Sequence, residues 1–450
     1  MGDLKNKAKA TKNKKNKKNK ILNTITLFFM LDANYIRQNP QEVKELLKKR
    51  FLDESLVDKF LEADKEFREI KKNVDALRAE KNKINVEIAK AKAREEKNKL
   101  IEKGKKVEKQ LAELEARLPR LEEEVKKLLY AFPNKLLADV PIGREEQNKV
   151  LRQSGKAEKT EKMALHHQDI LVPAGLLDTT KASEVAGARF FYLKGKLAEL
   201  NLALQKFALD KLVTKGYKAI VPPYMLKRKL YEGVISFDTF AEAIYKIENE
   251  DLYLIATSEH SIAALHSDEV LQEKDLPLKY VGISPCFRKE AGAHGKDTKG
   301  IFRIHQFNKI EQFIFCTPEQ SQALHEEMIS NAEEIVKALE IPYRVVLLAS
   351  GETSKVSAKT YDIEAWFPGQ GKFREIASGS NCLDFQARRL GIKFYRNNQR
   401  IFVHTLNCTG LAIERVLACI AENHYDEKAK AIKLPRALWQ YTGFKEITLA

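Results

Sequence analysis

The chain reads as an α+β protein: an antiparallel helical hairpin near the N-terminus, then a domain of mixed strands and helices. Three observations point there. Between about Leu56 and Leu129 the apolar residues recur at heptad spacing, with almost no helix-breaking punctuation. After Phe132 the succession Pro133, Pro141 and Gly143 reads as a linker. Beyond it, strand-like and helix-like stretches alternate to the C-terminus. At 450 residues the chain exceeds what one hydrophobic core usually organises, so two folded domains are expected.

The first 29 residues stand apart. From Lys5 to Lys20 they are nearly all lysine, asparagine and alanine, a composition that cannot bury enough apolar surface to offset its ordering entropy, so disorder is expected. Ile21–Leu31 is apolar, but Asn23, Thr24 and Thr26 interrupt it and a small-residue cleavage site is missing, which argues against a secretory leader. A transit peptide fits no better, because no Arg or Ser precedes Met30. Two readings stay open: a lysine-rich extension that adds nonspecific RNA affinity, or a non-native segment upstream of an initiator at Met30.

The net charge of +16 points to a polyanionic partner, although half of it comes from nine lysines against Asp3 in residues 1–29. No apolar run is long enough to span a membrane. Cys286, Cys316, Cys382, Cys408 and Cys419 show neither a Cys-x-x-Cys pair nor a histidine at zinc-ligand spacing, so buried free thiols in a reducing compartment are expected.

In the predicted hairpin one apolar series runs Phe60, Phe67, Val74 and Ile88, with Lys81 as its polar exception, and a companion runs Ala63, Ile70, Leu77, Ile84 and Ala91. The second limb carries Val107, Leu111, Leu114, Leu118, Leu121, Val125 and Leu128. Between the stripes Arg94–Lys106 is polar and contains Gly104, where the reversal is expected. Each limb would extend about 50 Å at 1.5 Å per residue. A coiled-coil dimerisation element fits the periodicity equally well. Lys83, Lys90, Lys92, Arg94, Lys97 and Lys99 crowd toward the tip, however, and a projecting basic tip suits salt-sensitive contact with a phosphate backbone.

The segment Pro285-Cys-Phe-Arg-Lys-Glu-Ala-Gly292, then Gly295, Asp297, Thr298 and Gly300, then Phe302-Arg-Ile-His-Gln-Phe-Asn-Lys-Ile-Glu311, reads as strand, glycine-bearing loop, strand. In the returning strand Arg303, Gln306 or Phe307, and Glu311 punctuate apolar residues, and a sheet interior tolerates charged side chains there only when they are paired. Arginines placed this way suit an enzyme that brings a carboxylate and a phosphate together. The segment resembles motif 2 of the class II aminoacyl-tRNA synthetases in the version typical of the seryl-tRNA synthetases. Gly216-Tyr217 with Val221-Pro-Pro-Tyr224 is similar to motif 1, and Leu406-Asn-Cys-Thr-Gly-Leu-Ala-Ile-Glu-Arg415 to motif 3. Ala256-Thr-Ser-Glu259, Arg374-Glu-Ile-Ala-Ser378 and Ser380–Arg389 extend the likeness, which runs from Met30 to the C-terminus.

That resemblance implies a division into the extension 1–29, a tRNA-binding helical arm over 30–139, and a class II catalytic domain over 140–450 whose antiparallel sheet is flanked by helices. It implies ATP-dependent activation of L-serine to seryl-adenylate and transfer to the 3′-terminal adenosine of tRNA(Ser), with tRNA(Sec) a second candidate. Arg288, Arg415 and Glu375 would be catalytic: Arg288 on the α-phosphate, Arg415 on the terminal phosphates, Glu375 with Ser378 on Mg²⁺. Phe307 would stack on adenine and Glu290 accept from its amine, with Lys289, Ile376 and Ala377 completing the ATP site. Thr257, Ser258, Glu259, Arg288, Glu311, Asn407 and Thr409 would bind serine, and the six basic residues at the tip would bind tRNA. A homodimer built on motif 1, a cytoplasmic location, no membrane and no zinc are implied too. A non-catalytic tRNA-holding paralogue is disfavoured because the catalytic set is complete, and a ligase that loads carrier proteins is disfavoured by the long arm. Where the family usually has glycine the chain has Cys408, which removes backbone freedom beside the serine pocket. The pair His166-His167 is expected to be structural.

Overall fold

The computed structural model describes residues 31–157, 164–236, 241–291, 297 and 299–449. The extension 1–29 and Met30 lie outside the described residues, as do Gly292, Gly295 and Thr298. Leu31–Pro133 makes one compact unit and Asn134–Ala450 another.

The first unit begins with helices α1 (Ala33–Gln38) and α2 (Pro40–Lys49), followed by the long α3 (Ser55–Lys90) and α4 (Arg94–Ala131). Asp32 caps α1 by accepting the Tyr35 N–H at 2.8 Å, and Pro40 opens α2 where a helix needs no N–H donor. Leu31, Ile36, Val43 and Leu47 close the base of the hairpin against Val57, Phe60 and Phe132. There the rings of Phe60 and Phe132 meet edge to face at 5.6 Å. Asp64, buried among them, is neutralised by Arg37 at 2.8 Å and Arg68 at 2.9 Å.

Farther along, Ile70, Val74 and Leu111 form the seam with Leu77, Leu114, Leu118 and Leu121 against them, as the heptads predict. Lys81, the polar exception, reaches Glu108 on the opposite limb at 2.7 Å. The reversal is not at Gly104. Ala91–Ala93 makes the turn, and Arg94–Lys106 forms the opening turns of α4. The polar stretch is rich in Glu, Lys and Arg, which favour helix, and they outweigh the cost of about 1 kcal/mol for one interior glycine. Polarity there marks two solvent-facing helix ends, not a break.

The second unit is organised by an eight-stranded sheet. Its strands in chain order are β1 (Lys149–Ser154), β2 (Lys218–Ile220), β3 (Leu278–Phe287), β4 (Gln306–Cys316), β5 (Tyr343–Leu347), β6 (Lys359–Phe367), β7 (Lys372–Asn381) and β8 (His404–Ala412). They lie in the order β1-β5-β6-β7-β8-β4-β3-β2, antiparallel except for the parallel pair β2·β3. Helices used below are α5 (His167–Leu171), α6 (Lys196–Thr214), α7 (Ser258–Ala263), α8 (Ser321–Ala338), α9 (Phe385–Leu390) and α10 (Ile413–Asn423).

Strand β4 shows how the sheet serves two cores at once. Ile310, Ile314 and Cys316 enter the large cluster with residues of α6, α8 and α10, while Phe313 and Phe315 enter a second cluster with Ile262 and Ala263 of α7 and Ala387 of α9. Period-two alternation therefore carries Phe307, Lys309 and Glu311 onto the same face as Phe313 and Phe315. Charged residues stand where the apolar packing on that face stops.

Because Gly104 lies inside α4 with negative φ and only Ile84 Cγ2 at 3.5 Å from a Cβ built there, Gly104→Ala should stabilise the arm. The expected gain is about 0.5–1 kcal/mol in urea unfolding followed by circular dichroism; a loss of stability would refute a continuous helix there.

Candidate active site

Two adjoining clefts open on the charged face of β4, of about 490 Å³ and 1270 Å³ with their open mouths included. Arg288, Lys309, Glu375 and Thr409 line both, so the two form one groove.

The smaller cleft is cationic. Arg288 follows β3 directly; its Nε donates to the Ala256 carbonyl at 3.3 Å and its guanidinium lies 5.0 Å from the Phe307 ring centre. Arg415, in the first turn of α10, donates through Nη1 to the Glu375 carbonyl at 2.9 Å and lies 3.3 Å from that residue's carboxylate. Its Nε donates to the Phe302 carbonyl at 3.4 Å, and the group lies 4.7 Å from the Phe302 ring centre. Two arginines 127 positions apart in the chain thus share one cleft. Enclosure would raise the pKa of Glu375, but Arg415, Arg288 and Lys309 outweigh it and hold the carboxyl below the usual range.

A β-bulge aims the acidic group. Ile363 pairs with Ala377 and Glu364 with Glu375, leaving Ile376 as the extra residue. Glu375 and Ser378, three apart, therefore face the same side, which an unbroken strand would not allow. Asp362 stands opposite Ser378, and its buried Oδ1 has no hydrogen-bond partner among the described residues. Burial and the neighbouring Glu375 hold the Asp362 carboxyl well above the ordinary range. Oxygen donors so grouped fit a hard divalent cation. Glu290, in the left-handed region at φ 50°, has its carboxylate held by Arg303 at 2.7 Å.

The larger cleft is acidic at its depth. Glu259 of α7 accepts from Gln386 at 2.9 Å and from Asn407 at 3.2 Å. Burial and repulsion by Glu311 push its pKa up to about 7, with Lys309, Gln386 and Arg288 opposing. Thr257 caps α7, its hydroxyl accepting the Glu259 N–H at 3.2 Å. Glu311 is buried in an ion pair with Lys309 and accepts from the Thr409 hydroxyl at 3.4 Å. Gly282 stands opposite Glu311 across β3·β4 because α7 presses there; a Cβ would lie 2.5 Å from Ser258 Oγ. One arm of the groove can therefore take a polyphosphate and the other an ammonium beside a small polar group.

Comparison with known proteins agrees with this geometry. Residues 30–136 match the seryl-tRNA synthetase N-terminal domain and residues 243–424 the tRNA synthetase class II core domain (G, H, P, S and T). A serine–tRNA ligase of Pyrococcus horikoshii is 47% identical over 93% of this chain and 97% of its own length. That of Nitrosopumilus maritimus is 47% identical over 92% and 99%. The chain belongs to the seryl-tRNA synthetase family. Among solved structures, seryl-tRNA synthetase from Pyrococcus horikoshii complexed with ATP superposes with a TM-score of 0.85 at 46% identity, covering 94% of this chain and all of that one. The cytoplasmic serine–tRNA ligase of Naegleria fowleri in complex with AMP gives 0.80 at 37%, covering 94% and 99%.

Of the site residues expected of a seryl-tRNA synthetase, Thr257, Glu259, Arg288, Glu290, Phe307, Glu311, Glu375, Ile376, Ser378, Asn407, Thr409 and Arg415 all line the groove. Ser258, Lys289 and Ala377 do not. Ser258 is buried against Gly282, Lys289 lies over the Tyr245 ring at 5.6 Å, and Ala377 belongs to the large core. The six basic residues of the tip belong to the first unit and are exposed.

Lys309 was missed, although stepping by two from Phe307 and Glu311 would have found it. The Gly351–Ser357 wall of the larger cleft carried no such signal, being an ordinary polar loop by composition. Cys408 faces away from the groove. Its thiol lies in the large core, 3.7 Å from the Met328 carbonyl, in the space left by Gly379 on the neighbouring strand. The glycine usual in the family is thus replaced without narrowing the larger cleft. Cys408→Gly should lower stability by about 1–3 kcal/mol through the void and the added chain freedom. It should leave the serine KM within about twofold, a limit set by a contact loss below ~0.4 kcal/mol; a large KM change would contradict this placement.

Proposed function

We propose that this serine–tRNA ligase activates L-serine on the joined groove and passes it to tRNA(Ser), with the side-chain roles as follows. The observation that carries the reading is the meeting of a cationic cleft and an acidic cleft at Arg288, Lys309, Glu375 and Thr409. ATP lies in the smaller cleft, its adenine against Phe307 with Glu290 accepting from the exocyclic amine. Arg288 holds the α-phosphate and Arg415 the terminal phosphates. Glu259 receives the serine ammonium, while Glu311 and Thr409 receive the hydroxyl. The serine carboxylate attacks the α-phosphorus, the bond to the β-phosphate oxygen breaks, and pyrophosphate leaves. Arg288 neutralises the charge that grows on the α-phosphoryl oxygens in a site that needs no reorganisation.

In the second step the 3′-terminal adenosine hydroxyl attacks the acyl carbon, and AMP leaves with the bonding pair. No covalent enzyme intermediate is required. Mg²⁺ would be held by Glu375 and Ser378 and would offset phosphate charge. Alanine and glycine are rejected because they present no hydroxyl to Glu311 and Thr409 while still displacing water from them, a discrimination that can reach a ratio of about 10⁴. Threonine is excluded by size.

The helical arm, led by Lys83, Lys90, Lys92, Arg94, Lys97 and Lys99, holds the tRNA by its backbone. tRNA(Sec) is a second substrate candidate; a seryl-tRNA synthetase of M. kandleri with this fold has been solved in complex with A. aeolicus tRNASec. The working unit is a homodimer formed through Gly216–Tyr224, and the five free, buried cysteines suit a reducing cytoplasm. Among the described residues no helix is long and apolar enough to cross a membrane.

Pyrophosphate exchange across the twenty amino acids should respond to serine alone. Deleting residues 56–129 should preserve that exchange and abolish tRNA charging, and loss of both would refute this division of labour. The pH dependence follows from Glu259. Its carboxyl is raised to about 7, so it is protonated below that pH and offers the ammonium no charge. The serine KM should therefore rise about tenfold per pH unit as pH falls below 7 and level off above it. A KM that is flat from pH 6 to 8 would remove Glu259 from the ammonium site.

A further inference from the structure

Outside the groove, the described residues hold one group of potential metal ligands close together: His166, His167 and Glu422. Its buried members, His167 and Glu422, are already hydrogen-bonded. His167 Nδ1 donates to Glu422 Oε1 at 2.7 Å, and its Nε2 accepts the Ile301 N–H at 3.1 Å. The other Glu422 oxygen accepts the Gly369 N–H at 2.9 Å, and His166 Nδ1 caps α5 by accepting the Gln168 N–H at 3.2 Å. Both His167 and Glu422 side chains are fully buried. One neutral tautomer, with the proton on Nδ1, satisfies both of its partners, and a metal would have to displace them.

We infer that this pair is a latch that positions the ATP-binding arginine. Ile301 precedes Phe302, whose carbonyl accepts from Arg415 Nε at 3.4 Å. The Phe302 ring lies 4.7 Å from the Arg415 guanidinium and 3.8 Å from that of Arg374. His167 thus fixes the backbone that carries the platform on which Arg415 rests, and Glu422 fixes His167 from α10, the helix that bears Arg415. Gly300 belongs to the same device. It sits at φ 76°, and a Cβ there would lie 1.9 Å from His167 Nε2, so the loop closes on the imidazole with no room for a side chain. Lys299 adds an ion pair to Asp169 at 2.7 Å, and Gly300 N donates to the Gln168 side chain. The end of the glycine-bearing loop is held at successive residues by one short helix. His167 and Glu422 are positioning residues: they touch no substrate and act through Phe302 and Arg415.

The inference rests on the reading that Arg415 binds the terminal phosphates of ATP, so the test carries that reading as its own arm. ATP and AMP affinities are measured by calorimetry on the full chain for the parent protein, Arg415→Ala, His167→Gln and the milder Glu422→Gln, with melting curves to confirm that each is folded at the assay temperature. Arg415→Ala should lose ATP affinity and keep AMP affinity, because AMP has no terminal phosphates. His167→Gln should repeat that pattern, weakening ATP about tenfold while AMP stays within about twofold, the size expected for losing one buried hydrogen bond. Glu422→Gln should do the same more weakly, and the serine KM should not change in either. If Arg415→Ala loses its preference for ATP and folded latch variants keep it, the latch is refuted. Equal weakening of ATP and AMP in the latch variants would refute it too, since that marks general loosening. If Arg415→Ala itself binds both nucleotides as before, the reading of Arg415 falls and the latch with it.

Discussion

Ions can stand on the inner face of a sheet only while their charges are mutually compensated, and the Lys309–Glu311 pair on β4 meets that condition for the whole groove. Glu311 is 1% exposed and Lys309 6% exposed. Burial raises the Glu311 carboxyl above its ordinary range, and Lys309, Arg288 and the Thr409 hydroxyl offset that only in part. Around this pair the charges sort by sign: arginines toward Glu375, carboxylates toward Asn407. Removing Lys309 would leave Arg288 as the cation shared by the two clefts to offset Glu259 and Glu311. The division of the groove into a cationic end and an acidic end depends on Lys309 and Arg288 together.

Strand register does the remaining work of orientation. A bulge at Ile376 brings Glu375 and Ser378 to one side, and a second at Gly410 lets Thr409 keep Glu311 as its partner while Leu411 shifts to Ile310. At Gly410 a Cβ would lie 2.9 Å from Leu212 and 3.2 Å from the Ile310 carbonyl, so glycine is required by close approach. Bulges cost ladder hydrogen bonds, and a sheet keeps them where side chains must be re-aimed. The two faces of β4 differ as well: one carries Asn308 and Gln312 among its apolar residues, hydrogen-bonded to Glu414 and to the Met328 carbonyl, and the other is charged at one end and aromatic at the other.

What could be read in advance follows the range of the forces involved. The arm's heptads are local, so its helices, its seam and the Lys81 exception were legible from residue spacing alone. The turn was not, because polar residues mark a solvent-facing helix as readily as a loop, and only the fold shows that Ala91–Ala93 reverses the chain. In the groove, Arg288 and Arg415 were legible because their surroundings form motifs. Ser258 and Ala377 lie next to groove residues in sequence, but α7 and β7 point them into the protein. The loop wall at 351–357 comes from distant chain brought in by β5 and β6, and composition does not register such placement.

The arm also has a mechanical gradient. Its base is closed by seven buried apolar side chains, and deep burial continues along the limbs to Ile84 and Val107. Past that point both helices are held by their own backbone hydrogen bonds and by solvated charges, which oppose local opening weakly. The hairpin is thus a cantilever, rigid at its root and compliant at its free end. Such a beam holds its basic last turns on a fixed root yet leaves them free to yield locally under load.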